Sequence, residues 1–267
     1  MTFIRNHPVL SFFVLAYVLA WGAVPFGSFF APGALVAAVV IVFLTEGLAG
    51  LRALGARVIR WRVRWVWYVV AIAVPLAVHF VTISLNQALG APAPNTGQFT
   101  PWYALAMVVG MIMVDPTGGP FNEEPSFRGY AQPKLQATRT PLAATAILAV
   151  AITGWHAPLF FISSFGLQPF EALTTIAVTF WYAWLFNHAA GSVLITLIAH
   201  ATEGSVNTSE LWPTGSGDLT RETWLYVGVW WAVAIGLLIV SRRFWTSPAP
   251  AAAVDNQPPT HAKETVS

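Results

Sequence analysis

The chain has no cysteine. That excludes a disulfide framework, a thiolate nucleophile and a Cys-ligated zinc site, and leaves carboxylates, histidines, hydroxyls and amides to carry any chemistry. Charge is scarce too: Asp, Glu, Lys and Arg make up 9% of 267 residues, against about a quarter in an ordinary water-soluble domain. With 56% hydrophobic residues and 13 Trp, the chain belongs in a bilayer. Its slight basic excess, a net charge of +2, does not indicate nucleic acid. The Lys and Arg residues lie in short segments flanking apolar runs, where membrane proteins put them.

Apolar runs of about 20 residues, the length that crosses a hydrocarbon core, occur at 9–29, 33–50, 65–86, 102–121, 141–162, 170–187, 190–206 and 222–241. They predict an all-α, polytopic transmembrane bundle of about eight helices, forming one domain over residues 1–246. The first run follows Arg5 as a signal peptide would, but it is long, opens at Pro8 and has seven successors, so it reads as a retained span. Arg5, Arg52, Arg57, Arg60, Arg62, Arg64, Lys134, Arg139, Arg242, Arg243 and Lys263 all fall on one side of this topology, with Arg221 alone opposite. The positive-inside rule then predicts a multi-pass protein of the cell membrane with both termini cytoplasmic. Residues 91–101 read as an outer loop. The Pro/Ala-rich segment 247–267 lacks apolar periodicity and predicts a disordered cytoplasmic tail.

An ionisable side chain inside a bilayer costs about 2.5–3.5 kcal/mol at the centre of a span, so such groups are functional candidates. Glu123, Glu124 and Arg128 stand where the fourth run ends, His156 inside the fifth, and His200 with Glu203 inside the seventh. On one helix, Glu124 and Arg128 share a face and can pair, while Glu123 points about 100° away. One carboxylate held ionised beside one free for proton transfer suits acid/base work. The plainer reading of the group is a solvated helix end, and of His156, before Pro158, an interhelical hydrogen bonder. Glu203 and Asn207 follow His200 at helical spacing, so Glu203 is placed to orient it if the helix continues that far. His7, His79, His188 and His261 have no evident partner and read as structural or solvated.

The segments FNEEPSFRGYAQPKLQ, GWHAPLFF and NHAAGSVLITLIAHA, in this order, resemble the three motif regions of the CAAX-protease and bacteriocin-processing (Abi) family of intramembrane proteases, over about residues 102–207. The resemblance implies an endopeptidase acting on a membrane-associated peptide or protein. It makes Glu123 the base that activates water, Glu124 and Arg128 its supporting pair, and His156 and His200 the groups that bind water, substrate or metal. A divalent metal such as zinc, held by Glu123, His156 and His200, is left open by it. Two positions depart from the family pattern. Ile152 stands where the second motif begins with Phe. Gly204 stands where the third carries Asn, leaving Asn207 to donate to the oxyanion if the helix is locally distorted, or Glu203 to take a different supporting role.

Other intramembrane chemistries fit less well. There is no HExxH; Gly215-Ser216-Gly217-Asp218 spells GxGD but falls in an outer loop; and no serine-bearing turn of the rhomboid kind is present. A non-catalytic immunity or scaffold protein and a proton-coupled transporter are the alternatives from other classes. One geometric demand remains. His156 lies about 22 Å of helix beyond the start of its run, whereas Glu123 lies at the end of the preceding one. Gly118, Gly119, Pro120 and Pro125 are placed to break that span, so that Glu123, His156 and His200 meet in a polar cavity, expected to open toward the cytoplasm.

Overall fold

The computed structural model describes residues 2–162 and 167–247, and the segment expected to be a disordered tail lies outside the described residues after Ser247. The described residues form helices and connecting turns: α1 (Thr2–Asn6), α2 (Pro8–Trp21), α3 (Gly33–Val58), α4 (Val66–Ala88), α5 (Ala104–Val114), α6 (Gly119–Gln136), α7 (Pro141–His156), α8 (Ala172–His188), α9 (Val193–Glu203), α10 (Gly217–Val240) and α11 (Arg242–Thr246). Helix starts follow local chemistry. Pro8 and Pro141 occupy first-turn positions, where a missing N–H costs nothing. Thr140, Ser192 and Ser216 accept hydrogen bonds from Ala143, Ile195 and Leu219 amides as N-caps.

All eight apolar runs are helical, but the count of about eight spans is approximate. Among the described residues five helices are long and apolar enough to cross a membrane, and α5 with α6 makes a sixth if the bent pair counts as one span. The runs at 170–187 and 190–206 shorten to helices of 17 and 11 residues, and 11 residues is only about 16 Å of helix. The fourth run does not continue to residue 121. It stops at Val114, because Asp115 turns extended (φ −70°, ψ 109°) and its carboxylate accepts from both the Thr117 amide and hydroxyl. The chain resumes at Gly119 at an angle of 41°.

This break makes α6 the central helix. Residues 122–133 are all buried, packed round by α3, α7, α8 and α9, the pattern of a helix enclosed by protein on every side. An aromatic cluster of Phe12, Phe127, Tyr130 and Trp155 holds α2, α6 and α7 together, and the Trp155 indole donates to the Ala16 carbonyl at 3.2 Å. Within α3, Gly47 takes a left-handed φ of 65°, which favours glycine. Beside this kink, Glu46 meets Lys134 of α6 at 2.9 Å.

Basic residues gather at one end of the bundle. Arg57 and Arg60 donate to the Gly129 and Ala190 carbonyls, Lys134 and Arg139 share a groove with His7, and Arg242 and Arg243 follow Ser241. At the other end, Asn86 contacts Asp218 and Arg221, and Gln98 contacts Asn207.

Trp155 is fully buried and fills the junction of α2, α6 and α7. Trp155→Ala is expected to destabilise the protein by about 3–5 kcal/mol, read as a lower melting temperature in detergent. An unchanged melting temperature contradicts this packing.

Candidate active site

The long way from Glu123 to His156 through the chain is a hairpin. From the turn after Gln136, α6 runs back about 20 Å to Glu123 while α7 runs about 22 Å forward to His156. The two residues therefore lie level. His156 Nε2 is 3.5 Å from Glu123 Oε1, although the sequence spacing alone seemed to hold them apart.

Between Glu124 and Ala131 the backbone widens into a π-helix, and the Gln132 amide reaches back five residues to the Phe127 carbonyl. Pro125, which has no N–H, sits in this stretch, and π turns of this kind often mark functional sites. The turn holds Glu124 and Arg128 together, with Arg128 Nη1 3.2 Å from Glu124 Oε1 and both side chains buried. His200 on α9 joins the same oxygen at 2.9 Å through Nδ1. A carboxylate only accepts, so Nδ1 carries the proton and Nε2 is left for the cavity. Tyr182 of α8 closes the group, its ring 4.8 Å from the Arg128 guanidinium and 5.1 Å from the His200 ring.

Glu123 is differently placed. It shares no hydrogen bond with Arg128, and its described partner is His156. The His156 Nδ1–H donates to the Ile152 carbonyl at 3.0 Å, so Nε2 faces the Glu123 carboxylate across a contact that needs one proton between them. Gly119 makes room for this arrangement: a Cβ there would come within 2.5 Å of Glu123 Oε1.

These groups line a cavity of about 130 Å³ with Glu123, Arg128, His156, His200 and Glu203 on its wall, enough for several waters. A larger apolar groove, about 880 Å³, opens between α2 and α7 and holds none of the carboxylates. Sequence reasoning missed the α8 contribution, because Thr174, Thr175, Thr179 and Tyr182 lie in an apolar run with no charge to mark them.

The end of α9 separates Asn207 from Glu203. Asn207 does not reach the cavity. Helix α9 ends at Glu203, and the exposed Asn207 side chain caps the turn Thr208–Glu210 and bonds Ser209 and Glu210. Glu203 does line the cavity but is itself oriented by Tyr226 of α10, whose hydroxyl donates to its carboxylate. His79 supports this corner structurally, donating from Nε2 to the Glu203 carbonyl at 2.9 Å and stacking on Tyr226.

The suggested metal ligands do not form a ligand set. Among the described residues no three His, Asp or Glu side chains are grouped to hold a metal ion. The Nδ1 contacts of His200 with Glu124 and of His156 with Ile152 leave each Nε2 free, but of these three side chains only Glu123 and His156 are in direct contact.

Residues 101–205 match the Rce1-like family model, described as type II CAAX prenyl endopeptidase Rce1-like. The Rce1-like stretch runs from the residues before α5 to just past α9, and so contains Glu123, Glu124, Arg128, His156, His200 and Glu203. No curated protein matches the chain. The match points to membrane CAAX protease activity, and with the apolar helices it indicates a multi-pass membrane protein.

Removing Glu124 leaves Arg128 buried without its carboxylate, a change that costs about 3–5 kcal/mol. Glu124→Ala is therefore expected to lower the melting temperature clearly, while Glu123→Gln changes it little. Equal effects of the two substitutions contradict the division between them.

Proposed function

We propose that the protein is an intramembrane endopeptidase that hydrolyses peptide bonds of membrane-associated peptides or proteins with water activated by Glu123. The reading is carried by one observation: of two adjacent carboxylates, Glu124 is committed to Arg128 and His200, whereas Glu123 lies on the cavity beside His156.

Water held in the cavity beside Glu123 and His156 gives a proton to the Glu123 carboxylate, and the hydroxide attacks the peptide carbonyl. His200, protonated on both ring nitrogens and backed through Nδ1 by Glu124, donates its Nε2–H to the developing oxyanion, with Arg128 behind it as the fixed positive charge. The C–N bond then breaks, and the proton held by Glu123 passes to the leaving nitrogen. Glu203, held by Tyr226, occupies the corner that Gly204 leaves without an amide, and accepts hydrogen bonds from the leaving amine. No step is routed through a metal, because these residues do not gather into a ligand set.

Removing the base removes the reaction. Glu123→Gln is expected to lower cleavage by roughly 10²- to 10⁴-fold in a chain that still folds. The check is comparative proteomics of membrane peptides cleaved by wild type and Glu123→Gln, with and without chelator. Loss of the same products in the variant, unaffected by chelator, agrees with the proposal; undiminished products in the variant contradict it. An immunity scaffold keeps its protective effect in this variant, and a transporter is recognised by proton-coupled uptake in vesicles.

A further inference from the structure

The cavity is not closed equally on both sides. Toward the basic end its floor is sealed by fully packed side chains: Arg128, Tyr182, Leu185, Phe186 and Val193 are each at most 2% exposed. Toward the other end it is ringed by the termini of helices: the last residue of α7, His156; the first turn of α8 at Thr174; and the last residue of α9, Glu203, followed by the exposed Gly204. Phe161, just past His156, is 80% exposed.

Depth along the long helices agrees. Tyr226, which holds Glu203, lies roughly 14 Å from the start of α10 and roughly 21 Å from its end at the basic face. His79 lies roughly 20 Å from the basic start of α4 and roughly 14 Å from its other end. Arg57, Arg60, Arg62, Arg64, Lys134, Arg139, Arg242 and Arg243 mark the sealed face, while Asp218 and Arg221, bonded to Asn86, and Glu210, bonded to Asn207, lie at the opposite face. Short loops rich in Lys and Arg stay on the cytoplasmic side.

We infer that the active-site cavity opens on the membrane face opposite the basic loops, the non-cytoplasmic face, so that its substrate is a peptide segment reaching it from outside the cell or from the outer leaflet. This reverses the expected opening toward the cytoplasm. The expectation came from counting 102–121 as one span, which placed Glu123 at its cytoplasmic end. With the break at Asp115, Glu123 instead falls in the first turns of α6, on the far side from Lys134. The substrate assignment rests on the endopeptidase reading; the orientation of the cavity does not.

The cysteine-free chain permits a direct test. Single cysteines are placed at Phe161→Cys beside the mouth and at Arg139→Cys on the basic face, and intact cells are treated with a membrane-impermeant maleimide. Labelling of Phe161→Cys in intact cells, with Arg139→Cys labelled only after permeabilisation, is the expected result. The reverse pattern, or equal labelling of both in intact cells, overturns the inference. Thr214→Cys, exposed on the outer loop, replaces Phe161→Cys if that variant fails to accumulate. Activity is then read separately, with an impermeant peptide cleaved by the wild type added outside intact cells. Cleavage there by wild type and not by Glu123→Gln supports both readings. Cleavage only after permeabilisation overturns the inference alone, and equal cleavage by Glu123→Gln overturns the endopeptidase reading while the labelling result stands.

Discussion

The buried ion pair of Glu124 and Arg128 is the constraint to which the rest of the site answers. An arginine at this depth in an apolar bundle is tolerable only with a carboxylate beside it and its remaining surface covered. The π-helical turn provides the spacing, Tyr182 covers the guanidinium, and His200 is drawn to the same carboxylate oxygen. One acidic residue is thereby fixed as scaffold, and the neighbouring Glu123 is left facing the cavity and His156. The proposed chemistry needs that inequality between two side chains that are equivalent on paper.

The fold supplies the second requirement, which is to bring residues from several helices to one depth. A hairpin of two helices puts Glu123 and His156 level, and the short α9 ends just after His200, so the bundle is sealed below the cavity and open above it. A full-length helix in place of α9 would carry its polar residues past the cavity. The 11-residue helix stops there, and the chain turns outward to Asn207.

Much of this was legible in the sequence. Apolar run length located most of the helices but not the central α6, and the cost of burying charge singled out Glu123, Glu124, Arg128, His156, His200 and Glu203, which all reach the cavity wall or its support. What run length could not convey was the break at Asp115, because Met113, Val114 and the glycines after Thr117 keep the window apolar while a single extended residue redirects the chain. That error reversed the depth of Glu123. Asn207 was misplaced for a related reason: helical spacing from His200 carries no signal that α9 ends at Glu203. Tyr182 and Tyr226 were invisible because an aromatic residue in an apolar helix looks like packing until its neighbours are known.

The central claim is that Glu123 and His156 work as one unit on water while Glu124 holds Arg128 and His200 in place. A double-mutant cycle on kcat/KM measures this directly, using Glu123→Gln, His156→Ala and the double variant. Groups that share one proton transfer lose nearly all their effect with the first substitution, so the double variant is expected to be about as slow as the slower single variant. Fully additive losses would show that the two side chains act independently and would contradict the account.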